Sequence, residues 1–131
     1  MAKLLDAQAL IAFSVAEPAG RRVRQILRTH NCATTAVNLA EVVQKLVRDG
    51  AEAAQVRASL EPLDLLILTV DAPLAWRAGI LRARHYVRRT RRLSLADCCL
   101  VAAASSTDTV ISGDRGVTAM ARAEDLKVVE L

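Results

Sequence analysis

Aromatic side chains make up only 2% of this 131-residue chain, one Trp, one Tyr and one Phe. A core therefore has to be built from Leu, Val, Ile and Ala. No stretch of about 18 apolar residues occurs, so no segment is expected to span a membrane. The three cysteines, Cys32, Cys98 and Cys99, form no CxxC pair and no even-numbered framework. That excludes a disulfide scaffold and points to reduced thiols in a cytosolic core. Neither GxxxxGK[ST] nor GxGxxG is present, which removes the common nucleotide-cradling loops. The opening "MAKLLDAQALIAFSVA" faintly imitates a signal peptide, but Asp6 and Gln8 interrupt its apolar run, and a cytoplasmic protein is expected.

What is present is a 53% hydrophobic, 24% charged composition that reads as globular, and as one domain over residues 1–131. The net charge of +4 is unevenly spread. Arg77 to Arg92 carries seven arginines, His85 and no acid, and the remainder has eleven basic against fourteen acidic residues. Local basicity of this kind suits an anionic partner such as nucleic acid, with Arg82, Arg88, Arg89, Arg91 and Arg92 as candidate phosphate contacts. The plainer reading is a solvated helix and loop in a chain that uses 15 Arg against 3 Lys. His30 and His85 stand in polar surroundings and read as surface histidines.

Short apolar runs alternate with helical patterns, the signature of βαβ units and a mainly parallel sheet of four to five strands. "AKLLD" reads as the first strand and "AQALIAFSVA" as a helix. Pro18 opens a basic amphipathic helix through about Thr29. "NCATT" is a second strand whose last threonine caps "AVNLAEVVQKLVRD", a helix that Gly50 ends. "AEAAQVRASLEPL" is a further helix, and "DLLILTV" is the clearest strand. Asp71 and Pro73 open a helix through about His85, and after the arginine-rich connection comes "RLSLADCCLVAAAS". "TVIS" is the fourth strand, "GDRG" its turn, "VTAMARAED" a short helix and "KVVEL" an edge strand.

In open parallel sheets functional groups collect beyond the carboxyl ends of the strands. Asp6 ends the first strand and Asp114 follows the fourth by two residues. Glu41 and Asp97 lie early in helices that begin at the same edge, and right-handed crossovers bring them there. Two unit charges 4 Å apart repel by about 4 kcal/mol at an effective dielectric near 20. Four converging carboxylates therefore call for protonation or for a divalent cation, and oxygen ligands suit Mg²⁺ or Mn²⁺. Such clusters activate water in phosphodiester hydrolysis. Each acid also has a plain role: Asp6 as a helix cap, Glu41 in a surface pair with Lys45, Asp114 as a turn aspartate, and Asp97 in a capping box with Ser94. Adjacent cysteines point about 100° apart on a helix, so Cys98 and Cys99 read as core and not as a chelating pair.

"LLDAQALIA", "NLAEVVQKL", "LSLADCCLVAAA" and "VISGDRG", in that order, resemble the PIN-domain ribonucleases, especially the VapC toxins of bacterial toxin–antitoxin pairs. The resemblance runs from Lys3 to the final strand. It implies a three-layer α/β/α sandwich around a mainly parallel sheet, Mg²⁺- or Mn²⁺-dependent endoribonuclease activity, a homodimer, and a VapB-like antitoxin partner. It assigns Asp6, Glu41 and Asp97 to the three core acids and Asp114 to the fourth, with Ser112 and Asn38 in supporting positions. Two positions depart from the family pattern: Gln8 stands where Ser or Thr is usual, and Gly116 where some members carry another acid.

The expected chemistry is in-line attack by metal-activated water on an RNA phosphate, with arginines from Arg77 to Arg92 holding flanking phosphates. The alternative is a catalytically weak or inactive module of the same fold that binds RNA or protein. A receiver-type phosphoacceptor expects a pair of acids after the first strand, and "LLDAQ" offers one. A cysteine–histidine nucleophile has no supporting spacing.

Overall fold

The computed structural model describes residues 1–131. Five short strands, β1 (Lys3–Leu5), β2 (Cys32–Thr35), β3 (Leu65–Leu68), β4 (Thr109–Ser112) and β5 (Lys127–Glu130), pair in the order β3-β2-β1-β4-β5, every pair parallel. Alternation along each strand feeds two separate cores. Leu4, Ala33 and Val110 point to one face and Leu5, Cys32 and Ile111 to the other. The helices α1 (Ala7–Ser14), α2 (Pro18–Thr29), α3 (Ala36–Arg48) and α4 (Ala53–Leu60) close the second face. The helices α5 (Ala72–His85), α6 (Leu95–Ala103) and α7 (Arg115–Ala123) close the first. The result is the three-layer α/β/α sandwich expected, with the sheet wholly parallel.

Local chemistry sets where the helices start. Asp6, Thr35, Asp71, Ser94 and Asp114 each accept a backbone N–H of the helix that follows. α3 ends where Gly50 adopts φ +109, the conformation that glycine takes without strain. α1 and α2 cross so closely that a Cβ on Gly20 would stand 2.4 Å from the Ala12 carbonyl oxygen. No helix is long and apolar enough to cross a membrane.

Three sequence expectations need correction. "DLLILTV" is a strand as expected but only over Leu65–Leu68, β3, which lies at an edge of the sheet with Leu66 63% exposed. In "GDRG", Arg115 and Gly116 already belong to α7. His85 is buried at 8% exposure, since it continues the inward stripe of Leu74, Ala78 and Leu81 on α5. Its Nε2 lies 2.7 Å from Glu124 and its Nδ1 3.4 Å from the Arg91 guanidinium. His30 is exposed as expected.

Candidate active site

The carboxyl ends of β1 and β4 adjoin at the centre of the sheet, pairing Leu5 with Ile111. The next residues, Asp6 and the segment from Ser112 to Asp114, are therefore neighbours. The Ser112 hydroxyl donates a short hydrogen bond to Asp6 Oδ2 and accepts the Asp114 N–H at 2.9 Å, so one serine ties the two acids together. Asp6 Oδ1 accepts the Ala9 N–H at 2.8 Å. Both Asp6 oxygens are thus engaged, and the side chain is only 1% exposed.

Above it lies an open pocket of about 500 Å³ lined by Glu41, Asp97 and Asp114. Asp97 closes the anticipated capping box: its Oδ2 accepts the Ser94 N–H, and its own N–H donates to Ser94 Oγ, both at 3.0 Å. Asp114 Oδ1 accepts from Gly116 at 2.7 Å and Val117 at 3.3 Å. In both aspartates the bonds to the backbone use one oxygen and leave the other for the pocket. Lys45 does not pair with Glu41; it bonds Asp49 one turn on, at 3.6 Å, because i,i+4 spacing is met there as well. Glu41 is left without a cationic partner.

The electrostatics record the crowding. Burial pushes the Asp6 carboxyl up to about 6, opposed by the Ser112 and Ala9 hydrogen bonds and helped by the charges of Asp97 and Asp114. Burial and then Asp97 raise Glu41, with Ser94 acting against them. Burial also raises Asp97, against its bonds to Ser94. The cysteines beside Asp97 take no part: both are buried, and burial lifts the Cys98 thiol to about 11.

Asn38, one turn before Glu41 on α3, is fully buried and accepts a hydrogen bond from the Thr35 hydroxyl, while its Nδ2 has no partner. An unpaired buried donor is costly, about 1–3 kcal/mol, and such groups recur at functional sites.

A basic rim surrounds the acids. Arg82 and Arg92 line the pocket on one side, while Arg88, Arg89 and Arg91 do not. Lys45 and Arg48 line it as well, and sequence reasoning missed both. Their signal was present, since Glu41, Lys45 and Arg48 recur at i, i+4 and i+7 on α3 and so share one face. Gln8, Gln44, Ser94 and Tyr86 are also in the wall.

The donors offered to a cation are oxygens, chiefly of carboxylates, without sulfur or imidazole, which fits a hard ion such as Mg²⁺ or Mn²⁺. No three His, Cys, Asp or Glu side chains close into a finished ligand cage. The set therefore fits an ion that keeps several of its waters, as Mg²⁺ usually does.

A family model described as PIN domain matches residues 3–123. Among solved structures, the chain is similar to a toxin–antitoxin complex from Klebsiella pneumoniae at 20% identity and TM-score 0.71, covering 98% of this chain and 99% of that one. It is also similar to VapC20 of Mycobacterium tuberculosis, a Sarcin-Ricin loop cleaving toxin, at 16% identity and TM-score 0.70, covering 89% and 93%. A third likeness, to VapBC2 of Rickettsia felis bound to promoter DNA, has 16% identity and TM-score 0.69 over 100% and 99%. At these identities the likeness is one of fold. Among curated protein sequences none matches.

Proposed function

This chain belongs to the PIN-domain family, and from that premise we propose that it is a divalent-metal-dependent endoribonuclease, the toxin of a bacterial toxin–antitoxin pair. The observation that carries the reading is the gathering of acids from four chain segments, Asp6 beneath and Glu41, Asp97 and Asp114 on the wall of one pocket, inside a basic rim. Glu41, Asp97 and Asp114 would hold Mg²⁺ or Mn²⁺ directly or through water. Asp6 would add its charge from below. The chemistry that a bound ion supplies is water made acidic near neutral pH, together with positive charge against the phosphoryl oxygens.

The chain's own residues do the rest. Ser112 orients Asp6 and fixes the start of α7, so the two central carboxylates keep their separation. The capping box holds Asp97 in one rotamer, and Thr35 with Asn38 fixes the first turn of α3 below Glu41. Arg82, Arg92, Lys45 and Arg48 would bind phosphates on either side of the scissile one, which makes affinity fall with salt. Arg88, Arg89 and Arg91 would meet the chain farther along. Nothing in this scheme needs a nucleophilic side chain.

A cytoplasmic homodimer and a VapB-like antitoxin covering the pocket complete the proposal. One of the structurally similar proteins is described as a toxin–antitoxin complex, which supports the expectation of such a partner. The experiment is cleavage of RNA by the purified protein with Mg²⁺, with Mn²⁺ and with EDTA, alongside Asp97→Asn. Metal-dependent cleavage that Asp97→Asn abolishes is expected; cleavage that persists in EDTA or in the variant refutes the mechanism. Binding without any cleavage would favour the non-catalytic module instead.

A further inference from the structure

We propose that Tyr86 is a nucleobase-stacking site at the edge of the acid pocket, taking an unstacked base of the bound RNA beside the cut. The inference rests on the nuclease reading for its substrate and on separate geometry for its site.

Three observations place and fix the ring. Tyr86 lines the same pocket as Glu41, Asp97 and Asp114, and it is the only aromatic residue there, in a chain with one Trp, one Tyr and one Phe. The Arg82 guanidinium lies over the ring, 4.4 Å from its centroid. Arg82 is itself held, its Nε donating to the Leu93 carbonyl at 2.9 Å, and the Tyr86 N–H closes the last turn of α5 on the Arg82 carbonyl at 2.9 Å. One side of the ring is therefore covered by a tethered cation, and the residue is still 37% exposed.

A ring covered by Arg and still more than a third exposed can serve as a stacking shelf: the cation polarises it, and every base has a π-face to offer. The neighbouring cations Arg92, Lys45 and Arg48 favour a ligand that carries phosphates over an uncharged aromatic side chain of a protein. A base inside a duplex already stacks on both faces and cannot use the shelf, whereas splayed bases of loops and single strands can.

The test uses an unstructured RNA of about 12 nucleotides, the scale of a single-strand site. One abasic nucleotide, or one 2-aminopurine, is walked along it, and affinity is read by anisotropy in EDTA and in Mg²⁺. In the wild type, one abasic position is expected to weaken binding on the order of ten-fold, and 2-aminopurine at that position to lose fluorescence on binding. Tyr86→Leu is expected to weaken binding of the intact RNA by a similar factor and to be insensitive to the abasic site, while Tyr86→Trp retains binding. An RNA duplex of the same sequence should compete poorly. Tyr86→Leu equal to wild type, or additive with the abasic site, overturns the inference, and so does a wild type indifferent to every abasic position, a result independent of how any variant folds. Binding with this Tyr86 dependence but without cleavage supports the base site and refutes the nuclease reading, so the two failures are distinguishable.

Discussion

Asp6→Asn should stabilise the metal-free protein at neutral and alkaline pH. The wild-type carboxyl is almost fully buried, and burial lifts it from the usual 3.8 to about 6. A group whose folded value is raised contributes stability below its unfolded value and loses it as pH rises through the folded one. The window is therefore about pH 4 to 6, and two units correspond to roughly 3 kcal/mol. Asn is isosteric and can still accept the Ala9 N–H. It cannot accept from the Ser112 hydroxyl in the same way, and that loss costs about 1 kcal/mol. A net gain of about 2 kcal/mol at pH 8 follows, shrinking toward zero or slightly negative at pH 4. Urea unfolding in EDTA at both pH values measures it. Mg²⁺ should then stabilise the wild type more than the variant, because a ligand that binds only the folded state adds RT ln(1 + [L]/Kd). Asp6→Asn that is less stable than wild type at pH 8 in EDTA would refute the reasoning.

Asp97→Asn keeps an oxygen for the Ser94 N–H, so its melting temperature should stay close to that of wild type while RNA cleavage falls by about 100-fold or more, as loss of an electrostatic group at a reacting centre does. Lys45→Ala and Arg48→Ala should each reduce the slope of log affinity for single-stranded RNA against log salt by about 0.7, measured by anisotropy titrations. Gly20→Ala forces a methyl against the Ala12 carbonyl and should cost about 1–3 kcal/mol in urea unfolding. The Glu124 carboxyl is held below its usual range by the His85 hydrogen bond and then by Arg84. Its contribution is present above the ordinary glutamate value and is lost as pH falls through the lower folded one. Acid thermal melts should therefore show Glu124→Gln with a flatter pH dependence than wild type.

The fold was legible because its determinants are local. Threonine, serine and aspartate stand one residue ahead of apolar-periodic segments, and each cap predicted at Thr35 and Ser94 is made. The order of strands along the sheet was not legible in the same way. Both β3 and the central β1 are short apolar runs, and what separates them is the pairing partner, a tertiary property. The fate of His85 also depended on tertiary structure, since only the docking of α7 brings Glu124 to its ring. Lys45 and Arg48 were not legible as phosphate contacts, because α3 carries its two cations as ordinary surface charges and only the fold turns that face to the acids.

The acids were hard to judge singly because cap and site are the same residues. Asp6 and Asp114 are the N-caps of α1 and α7, and Asp97 is the third residue of α6. Three helix N-termini thus point toward one pocket, each contributing partial positive charge of about half a unit. That field lowers the cost of holding carboxylates together, and the backbone N–H groups fix one oxygen of each pocket aspartate in place. Glu41 has no such cap and lies in the second turn of α3, with Ser94 the one group pulling its pKa down. Of the three wall carboxylates it is the one that no backbone N–H holds. If a cation organises the pocket, Glu41 is where the largest change should register: its carboxyl signal in NMR should shift further on Mg²⁺ addition than that of Asp97, and an unchanged Glu41 signal would place the ion on the aspartates alone.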